Sequence, residues 1–593
     1  MSWRFFARWS GILLGSLLLT ACDGDGPYSG EEHAIPALSA AAKARLLDTA
    51  DRAIADHIQG RADFVPLPDF EGMENRVYVI LWQRGRRLYS WWTAGDNLSD
   101  SVYRASRKVL DKGKLQGTEG LSVHIQVLGR DCRLDDGAYI HGLHGLSFTR
   151  QATVNYPAAY AVETNYKPDK LFDLLELRLD VEDTGERPLK KHYFPVLHFA
   201  RDYGGERIVD YYKGSTPQLQ LDFSLADFED SRRRAQDWLL NALSEEGEFR
   251  YYYYPSRDQF PRGRNNMIRQ LMSSRGLAEL AGEREDLLPL HKRNLDYLIQ
   301  HWYREERDHG FIYYRDKSKL GANAMALRTL VYSPFFDEYR EQALRLARGI
   351  MFLQQEDGAF EPWYTAPDYE YDSDRLLTFY SGEALLALFE YYLKTGDEMV
   401  LAAAMHSQDF YVKRYADELD QHYYPAYVPW HAQSLHALYR ISGERPYAEA
   451  VFTMTDKLLE IQNLDGAGDP YFLGRFYNPD TPQYGSPHSS SDAVYTEGLA
   501  YAYELAVELG EKARAERYRE SLLLGLHNLR NLQYRGQRMY FVKRPAAVNG
   551  ALRIHSTDNR VRVDATQHAL DAFSKVSQLL EDGLLSLDTA AAD

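Results

Sequence analysis

"SGEALLALFEYYLKTGDEMVLAAAMHSQDFYVKRY", Ser381 to Tyr415, reads as two helices, 381–395 and 398–415, hinged on the turn "TGDE" (395–398). Gly396 suits the left-handed residue that ends a helix, and the acids after it suit the positive start of the next one. The spelling returns in "AGERE" (281–285), "SGER" (442–445) and "LGEK" (509–512). From about Ala226 the chain therefore divides into helical pairs. One set spans roughly 228–244, 285–303, 337–355, 398–415, 446–463 and 513–532. The other spans roughly 265–282, 321–333, 381–395, 429–442, 492–509 and 564–581. Short turns lead from the second set into the first. The return connections are long and carry aromatics near a glycine, as in "EGEFRYYYY" (246–254), "HGFIYY" (309–314), "DGAFEPWY" (357–364) and "DGAGDPYF" (465–472). Six hairpins with short turns on one side and long loops on the other predict an (α/α)6 toroid over 226–585. An open superhelical array is the alternative, and the unequal loops favour the closed ring.

Upstream the grammar is mixed. Leu38–Ile58 and "LSDSVYRASRKVL" (98–110) read as helices, and "RVYVILWQ" (76–83) and "LSVHIQVL" (121–128) as strands. "YIHGLHGLSFTR" (139–150), "YPAAYAVETNY" (156–166) and "KLFDLLELRL" (170–179) follow. This order resembles the AMMECR-type domain family over most of residues 37–212, and the resemblance implies an α+β fold. In that family the second strand runs into an Arg-Gly-Cys-Ile-Gly signature. The equivalent stretch here, "RRLYSWWTAGDNL" (86–98), has neither the cysteine nor the first glycine, so no activity is carried over. The expectation is a multidomain chain, an N-terminal α+β domain (37–212) joined by a linker (213–225) to an all-α (α/α)6 toroid.

The first residues, "MSWRFFARWSGILLGSLLLTAC", have Arg4 and Arg8 and then an apolar run, Ile12 to Leu19, too short to span a bilayer. Leu19-Thr20-Ala21-Cys22 resembles a bacterial lipobox. It implies a signal peptide over 1–22, lipid on Cys22, a tether over 23–36, and a place on the periplasmic side of the cell envelope, anchored to the inner or outer membrane. The net charge of −17 argues against nucleic acid as a partner. The chain has only two cysteines, so with Cys22 lipidated Cys132 has no disulfide partner and no Cys/His metal cluster can form. Tyrosine is abundant, 44 against 25 Phe, which suits wet clefts and sugar-like ligands.

If the second helix set lines the ring, its N-termini converge with the long loops on one mouth suited to anionic groups. Those starts carry Asn266 and Arg269; Asn323; Tyr380 and Glu383; Trp430 and His431; Tyr495 and Glu497; and Asp564, Gln567 and His568. In "RVRVDATQHALDAF" (560–573) the two arginines alternate with valines and point one way as a strand. Asp564, Gln567, His568 and Asp571 then share one helix face. The loops 533–563 and 249–264 are rich in arginine and, in a closed ring, should adjoin as a basic wall. Loop 356–380 is acidic and should lie opposite. Asp368, Glu370, Asp372 and Asp374 in "DYEYDSD" could face a hard cation such as calcium, though the stretch lacks the glycine and closing Glu of an EF-hand loop. "GSPHSSSD" (485–492) reads as rim and N-cap and not as a hydrolase triad.

The toroid looks like that of polysaccharide-active enzymes: uronate lyases, glucosamine 2-epimerases, six-hairpin glycosidases and the C-terminal domain of glucuronyl C5-epimerases. The expected function is action on a polysaccharide bearing uronic acids, by epimerisation or lyase chemistry. Both need a base beside a carboxylate and cations to hold enolate-like charge. His568, His431, Tyr495 and Tyr380 are the candidate proton carriers, and Arg269 and Arg562 the charge stabilisers. The helix start and two arginines should lower the proton affinity of His568. Asn266, Asn323, Trp430, Trp363 and Gln567 are expected to contact the sugar. Glycoside hydrolysis is the alternative, with Glu383, Glu497 and Asp564 as its carboxylates. A non-catalytic lipoprotein that binds glycan among envelope protein partners is another. No cofactor other than that calcium is expected.

Overall fold

The computed structural model describes residues 35–61, 75–115, 117–182, 188–218, 220–221, 223–466 and 468–587. The lipobox, Cys22 and most of the tether lie outside the described residues. No helix among the described residues is long and apolar enough to cross a membrane. The chain forms two compact units, Met1–Thr216 and Pro217–Asp593.

The first unit contains α1 (Ala40–Ile58), β1 (Arg76–Gln83), β2 (Arg86–Ala94), α2 (Leu98–Lys112), β3 (Leu121–Leu128), β4 (Cys132–Arg133), β5 (His144–Thr149), β6 (Thr153–Tyr156), α3 (Ala159–Thr164), α4 (Pro168–Glu182), β7 (Lys190–Asp202) and β8 (Val209–Tyr211). The strands form one antiparallel sheet of order β2-β1-β3-β7-β5-β6, with β4 and β8 also paired to β7. Leu46, Leu47 and Ile54 of α1 and Val102 and Val109 of α2 bury against Val79, Val123 and Ile125 of the sheet. A second core joins Leu171, Leu175 and Leu179 of α4 to Leu146, Phe148 and Tyr193. This unit is α+β.

The second unit begins with α5 (Leu225–Ala242), β9 (Tyr252–Tyr253), α6 (Met267–Glu283), α7 (Leu288–His301), β10 (Tyr303–Glu306), β11 (His309–Ile312) and β12 (Ser318–Lys319). It continues through α8 (Leu320–Tyr332), α9 (Arg340–Met351), β13 (Trp363–Thr365), α10 (Ser373–Thr395), α11 (Glu398–Val412) and the short α12 (Leu419–His422). It ends with α13 (Val428–Ser442), α14 (Arg445–Leu459), α15 (Ser489–Glu508), α16 (Lys512–Leu532), β14 (Arg553–His555), β15 (Asp558–Arg562) and α17 (Val563–Glu581).

Helices α6, α8, α10, α13, α15 and α17 each pack on the next, and α17 packs back on α6. The ring is closed, and the open superhelix is excluded. Helices α5, α7, α9, α11, α14 and α16 lie outside, each against an inner helix. The division follows composition. Inner helices such as α8 and α15 are buried on nearly every face, whereas α9 buries one stripe, including Ala343, Leu346, Ala347 and Ile350. The ends of the ring are also tied by β9 and β15, which pair Tyr253 with Val561 and Tyr252 with Arg562.

The four similar turns are built differently. Gly396 and Gly443 are left-handed C-caps at φ 71°, as their spelling implies. Gly510 follows the capping residue Leu509, and Gly282 lies within α6, whose cap is Arg284. Helix α10 also starts earlier than its apolar pattern, because Asp372 accepts a hydrogen bond from the Arg375 amide at 2.9 Å and caps it there.

Candidate active site at the mouth of the ring

The long loops place the N-terminal ends of the six inner helices at one face, and polar side chains fill the axis behind them. At the outermost level stands Asp564, on the first turn of α17. Arg562 grips both its oxygens, at 2.5 and 2.7 Å, and Arg269 of α6 reaches it at 2.9 Å. Burial opposes ionisation of Asp564, but the two guanidinium groups outweigh it and hold the carboxyl well below its usual range. Arg269 also donates to the Tyr251 hydroxyl, and Arg562 to Ser490 Oγ at 3.1 Å.

One turn deeper, His568 Nδ1 meets Glu497 Oε2 of α15 at 3.1 Å. Its Nε2 makes no hydrogen bond among the described residues. Burial disfavours the imidazolium, yet the hydrogen bond and charge of Glu497 prevail, so the proton affinity of His568 is raised. The expected lowering is thus reversed, because a buried carboxylate outweighs the helix end and the arginines. The edge of Trp430 packs on the imidazole, with ring centres 5.7 Å apart.

Glu383 of α10 is only 3% exposed, and its Oε2 has no hydrogen-bond partner. Burial lifts its pKa to about 7, partly opposed by the charges of His568, Arg328, Lys319 and Arg269. Two close helix approaches lie beside it, and the first makes room for its side chain. A Cβ on Gly321 of α8 would stand 2.2 Å from Glu383 Oε2 and 2.7 Å from the Tyr380 ring. A Cβ on Gly382 would stand 2.5 Å from Trp430 Cβ.

Lys319, just before α8, was not singled out from the sequence. Its ammonium lies 5.7 Å from the Trp363 ring centre, and burial, with nearby Lys317 and Arg269, lowers its pKa to about 8. Its place at an inner-helix start was the available signal. Deeper in the axis, Asp571 pairs with Arg275 at 2.6 Å and accepts from Gln567. Glu390 then pairs with Arg328 at 2.6 Å, and Glu504 with Lys575 at 2.8 Å and with His436.

Asp564, His568, Glu497, Glu383, Arg269, Arg562, Trp430, Tyr380 and Gln567 thus come together around the axis. Others do not. His431 is a core histidine: its Nε2 meets Ser381 Oγ at 3.0 Å, the rings of Tyr411, Tyr415 and Tyr427 surround it, and burial lowers its pKa to about 3. Asn323 accepts from the Ile312 amide at 2.8 Å and anchors β11. Asn266 is the N-cap of α6. Tyr495 turns away, its edge on Phe476.

The two arginine-rich loops do adjoin, through β9, β15 and the pair Arg544–Asp258 at 2.5 Å. The wall is largely internal, however. Arg538 donates to the carbonyls of Arg530, Asn531 and Gln533, and Arg553 is buried 4.9 Å from the Tyr534 ring centre. Arg560 and Arg562 share a face as their alternation predicts, but Asp558 and Asp564 engage them. On the acidic loop Asp372 caps α10 and Asp374 lies 3.5 Å from Arg414, so the four carboxylates of 368–374 do not gather around one cation. Among the described residues, Glu497, His568 and Asp571 alone have ligand atoms close enough for one metal ion.

No protein-family model matches the sequence, and no curated protein matches it. Solved structures resemble it at low identity. D-mannose isomerase shares 11% identity over 60% of this chain and 100% of its own, with a TM-score of 0.46. The α-1,6-mannanase from Salegentibacter sp. shares 12% over 59% and 99%, with a TM-score of 0.42. The unsaturated glucuronyl hydrolase from Streptococcus agalactiae shares 12% over 60% and 92%, with a TM-score of 0.41. At these identities the likeness concerns fold and not chemistry.

Proposed function

We propose that the toroid binds a sugar acid of a polysaccharide at its mouth and moves the proton beside the carboxylate, giving epimerisation or β-elimination. The observation that carries this reading is Glu383, a buried carboxyl with an unpartnered oxygen and a pKa near 7, within electrostatic reach of the His568–Glu497 pair. A carboxyl with a pKa near 7 beside an imidazole whose proton affinity is raised by Glu497 suits removal from one face of a carbon and delivery or leaving-group protonation at another. Lys319, and Arg269, which shares Asp564 with Arg562 but is the more exposed of the two arginines (31% against 13%), are the cations offered to a substrate carboxylate.

Glycoside hydrolysis is the second reading, favoured by one carboxyl held protonated (Glu383) and another held ionised (Asp564). Against it, both oxygens of Asp564 are already engaged. Uronate-bearing polymers incubated with the protein in D2O decide between them. Deuterium at C5 without cleavage indicates an epimerase, an unsaturated chromophore a lyase, and new reducing ends alone a hydrolase. Tight binding with none of these changes leaves a glycan-binding protein and overturns the catalytic reading.

The same proposal places the protein at the envelope, tethered through lipid on Cys22. Cys22→Ser should abolish labelling by radioactive palmitate, and undiminished labelling would remove the lipoprotein assignment.

A further inference from the structure

The segments that lead into α6 and α8 carry three cations that the proposed chemistry does not use, Arg264, Arg315 and Lys317, followed by Lys319. Each of the four faces an aromatic ring. Arg264 lies 6.0 Å from the Tyr252 ring centre, Arg315 5.0 Å from Tyr314, Lys317 5.1 Å from Tyr369 and Lys319 5.7 Å from Trp363. Their hydrogen bonds go to neutral groups. Arg264 donates to the Tyr254 hydroxyl at 3.0 Å, Arg315 to the Gly263 carbonyl at 2.8 Å and Lys317 to the Tyr369 hydroxyl at 3.2 Å. None of the four forms an ion pair among the described residues, whereas Arg275 and Arg328, deeper in the axis, each hold a carboxylate. Of the acids closest in sequence, Asp316 accepts from the Tyr313 hydroxyl at 3.2 Å, and Asp368 and Glu370 flank Tyr369 without pairing with any of these cations.

The turn that carries Arg315 and Lys317 is strained. Tyr314 and Lys317 bridge across it, and Arg315 and Asp316 between them are left-handed, at φ 52° and 60°. Asparagine and glycine are the usual residues of such a turn. Strain persists where the surroundings hold it, and here the Arg315–Gly263 bond ties the turn to the neighbouring loop. The strip meets the charged centre at both ends. Tyr252 is the ladder partner of Arg562. Lys319 lies under the influence of Arg269, and Gly321, two residues on, stands against Glu383.

We infer that this rim is a track for the sugar units next to the reacting one and that those units are themselves acidic, so that the substrate is a run of consecutive uronic acids. A uronic acid offers one C–H face and one carboxylate, and an aromatic ring beside an unpaired cation matches both. A polymer in which only every second unit is acidic leaves part of the track without a counterion. The inference rests on the reading of the mouth given above.

Calorimetric titration of the full chain tests it with tetramers of mannuronate and of galacturonate, with hyaluronan and heparosan tetrasaccharides, in which acid and neutral units alternate, and with the single uronic acids. One all-acid tetramer should bind about tenfold more tightly than its monomer and than either alternating ligand. The double change Arg315→Gln and Lys317→Gln should erase that advantage without altering the affinity of the single uronic acid. Arg315→Lys with Lys317→Arg, which keeps both charges, should retain most of it. Arg315 is exposed and Lys317 half-buried, and glutamine keeps a donor at each position, so the fold is not threatened. An all-acid tetramer that binds no better than the alternating ligands, or an advantage that survives the glutamine pair, overturns the track while leaving the acid-binding mouth standing. If no acid-bearing ligand binds, the mouth reading fails and takes the track with it.

Discussion

Glu383 links the site's chemistry to its stability. Its ordinary pKa of 4.5 rises to about 7 in the fold. Between those values the folded chain keeps a proton that the unfolded chain has released, so stability falls as pH rises through that window and stays lower above it. The displacement corresponds to on the order of 3 kcal/mol. Glu383→Gln should therefore melt higher than the parent protein at pH 8 and match it near pH 4, while losing turnover. Equal melting temperatures at both pH values would show that the carboxyl is not held protonated. His568 differs, because removing it strands Glu497. His568→Ala should cost about 3–5 kcal/mol, as broken buried pairs do, in addition to abolishing turnover. Added imidazole should restore part of the rate if His568 carries the proton, and none if its role is only to neutralise Glu497.

At the scale of elements, the glycine approaches set the geometry of the site. Gly382→Ala meets Trp430 Cβ and the His431 amide at 3.0 Å, which cannot yield without shifting a helix. Gly321→Ala first meets a carboxylate end, which can swing. Calorimetric melting should place the loss for Gly382→Ala at about 1–3 kcal/mol, the usual cost of overpacking, and show a smaller loss for Gly321→Ala. Activity should reverse the emphasis, since the Gly321 change evicts Glu383 from its slot. Helix pairing and ring closure were legible in the sequence because turn chemistry and loop length are local signals. The early start of α10 was not, because its first turn is polar and only the Asp372 cap declares it. Nor could a one-dimensional pattern distinguish His431 from His568. Both sit near inner-helix starts, and only the packing of three tyrosines against one and a carboxylate against the other separates them. The arginine-rich loops misled for a similar reason, since composition does not say which guanidinium groups cap carbonyls within the protein.

For the whole molecule, the division at Thr216 makes a direct prediction. Residues 217–593, expressed alone, should melt cooperatively and retain any glycan binding. Aggregation relieved by co-expressing 1–216 would show that the units are not independent. The ring itself has no such point of division. Its sixth inner helix is made last, and Asp564 and Asp571 on that helix are the counterions of Arg269 and Arg275 on the first. Until α17 is made, Arg269 and Arg275 lack those two counterions, and Arg275 keeps only Glu279 of its own helix, at 3.5 Å. The last stretch closes the ring as a keystone, and no working site exists before it arrives. A separately made peptide spanning β14 to α17 has the pieces needed to complete a truncated ring, the sheet edge beside β9 and the carboxylates for α6. Supplied in trans, it would switch the shortened protein on.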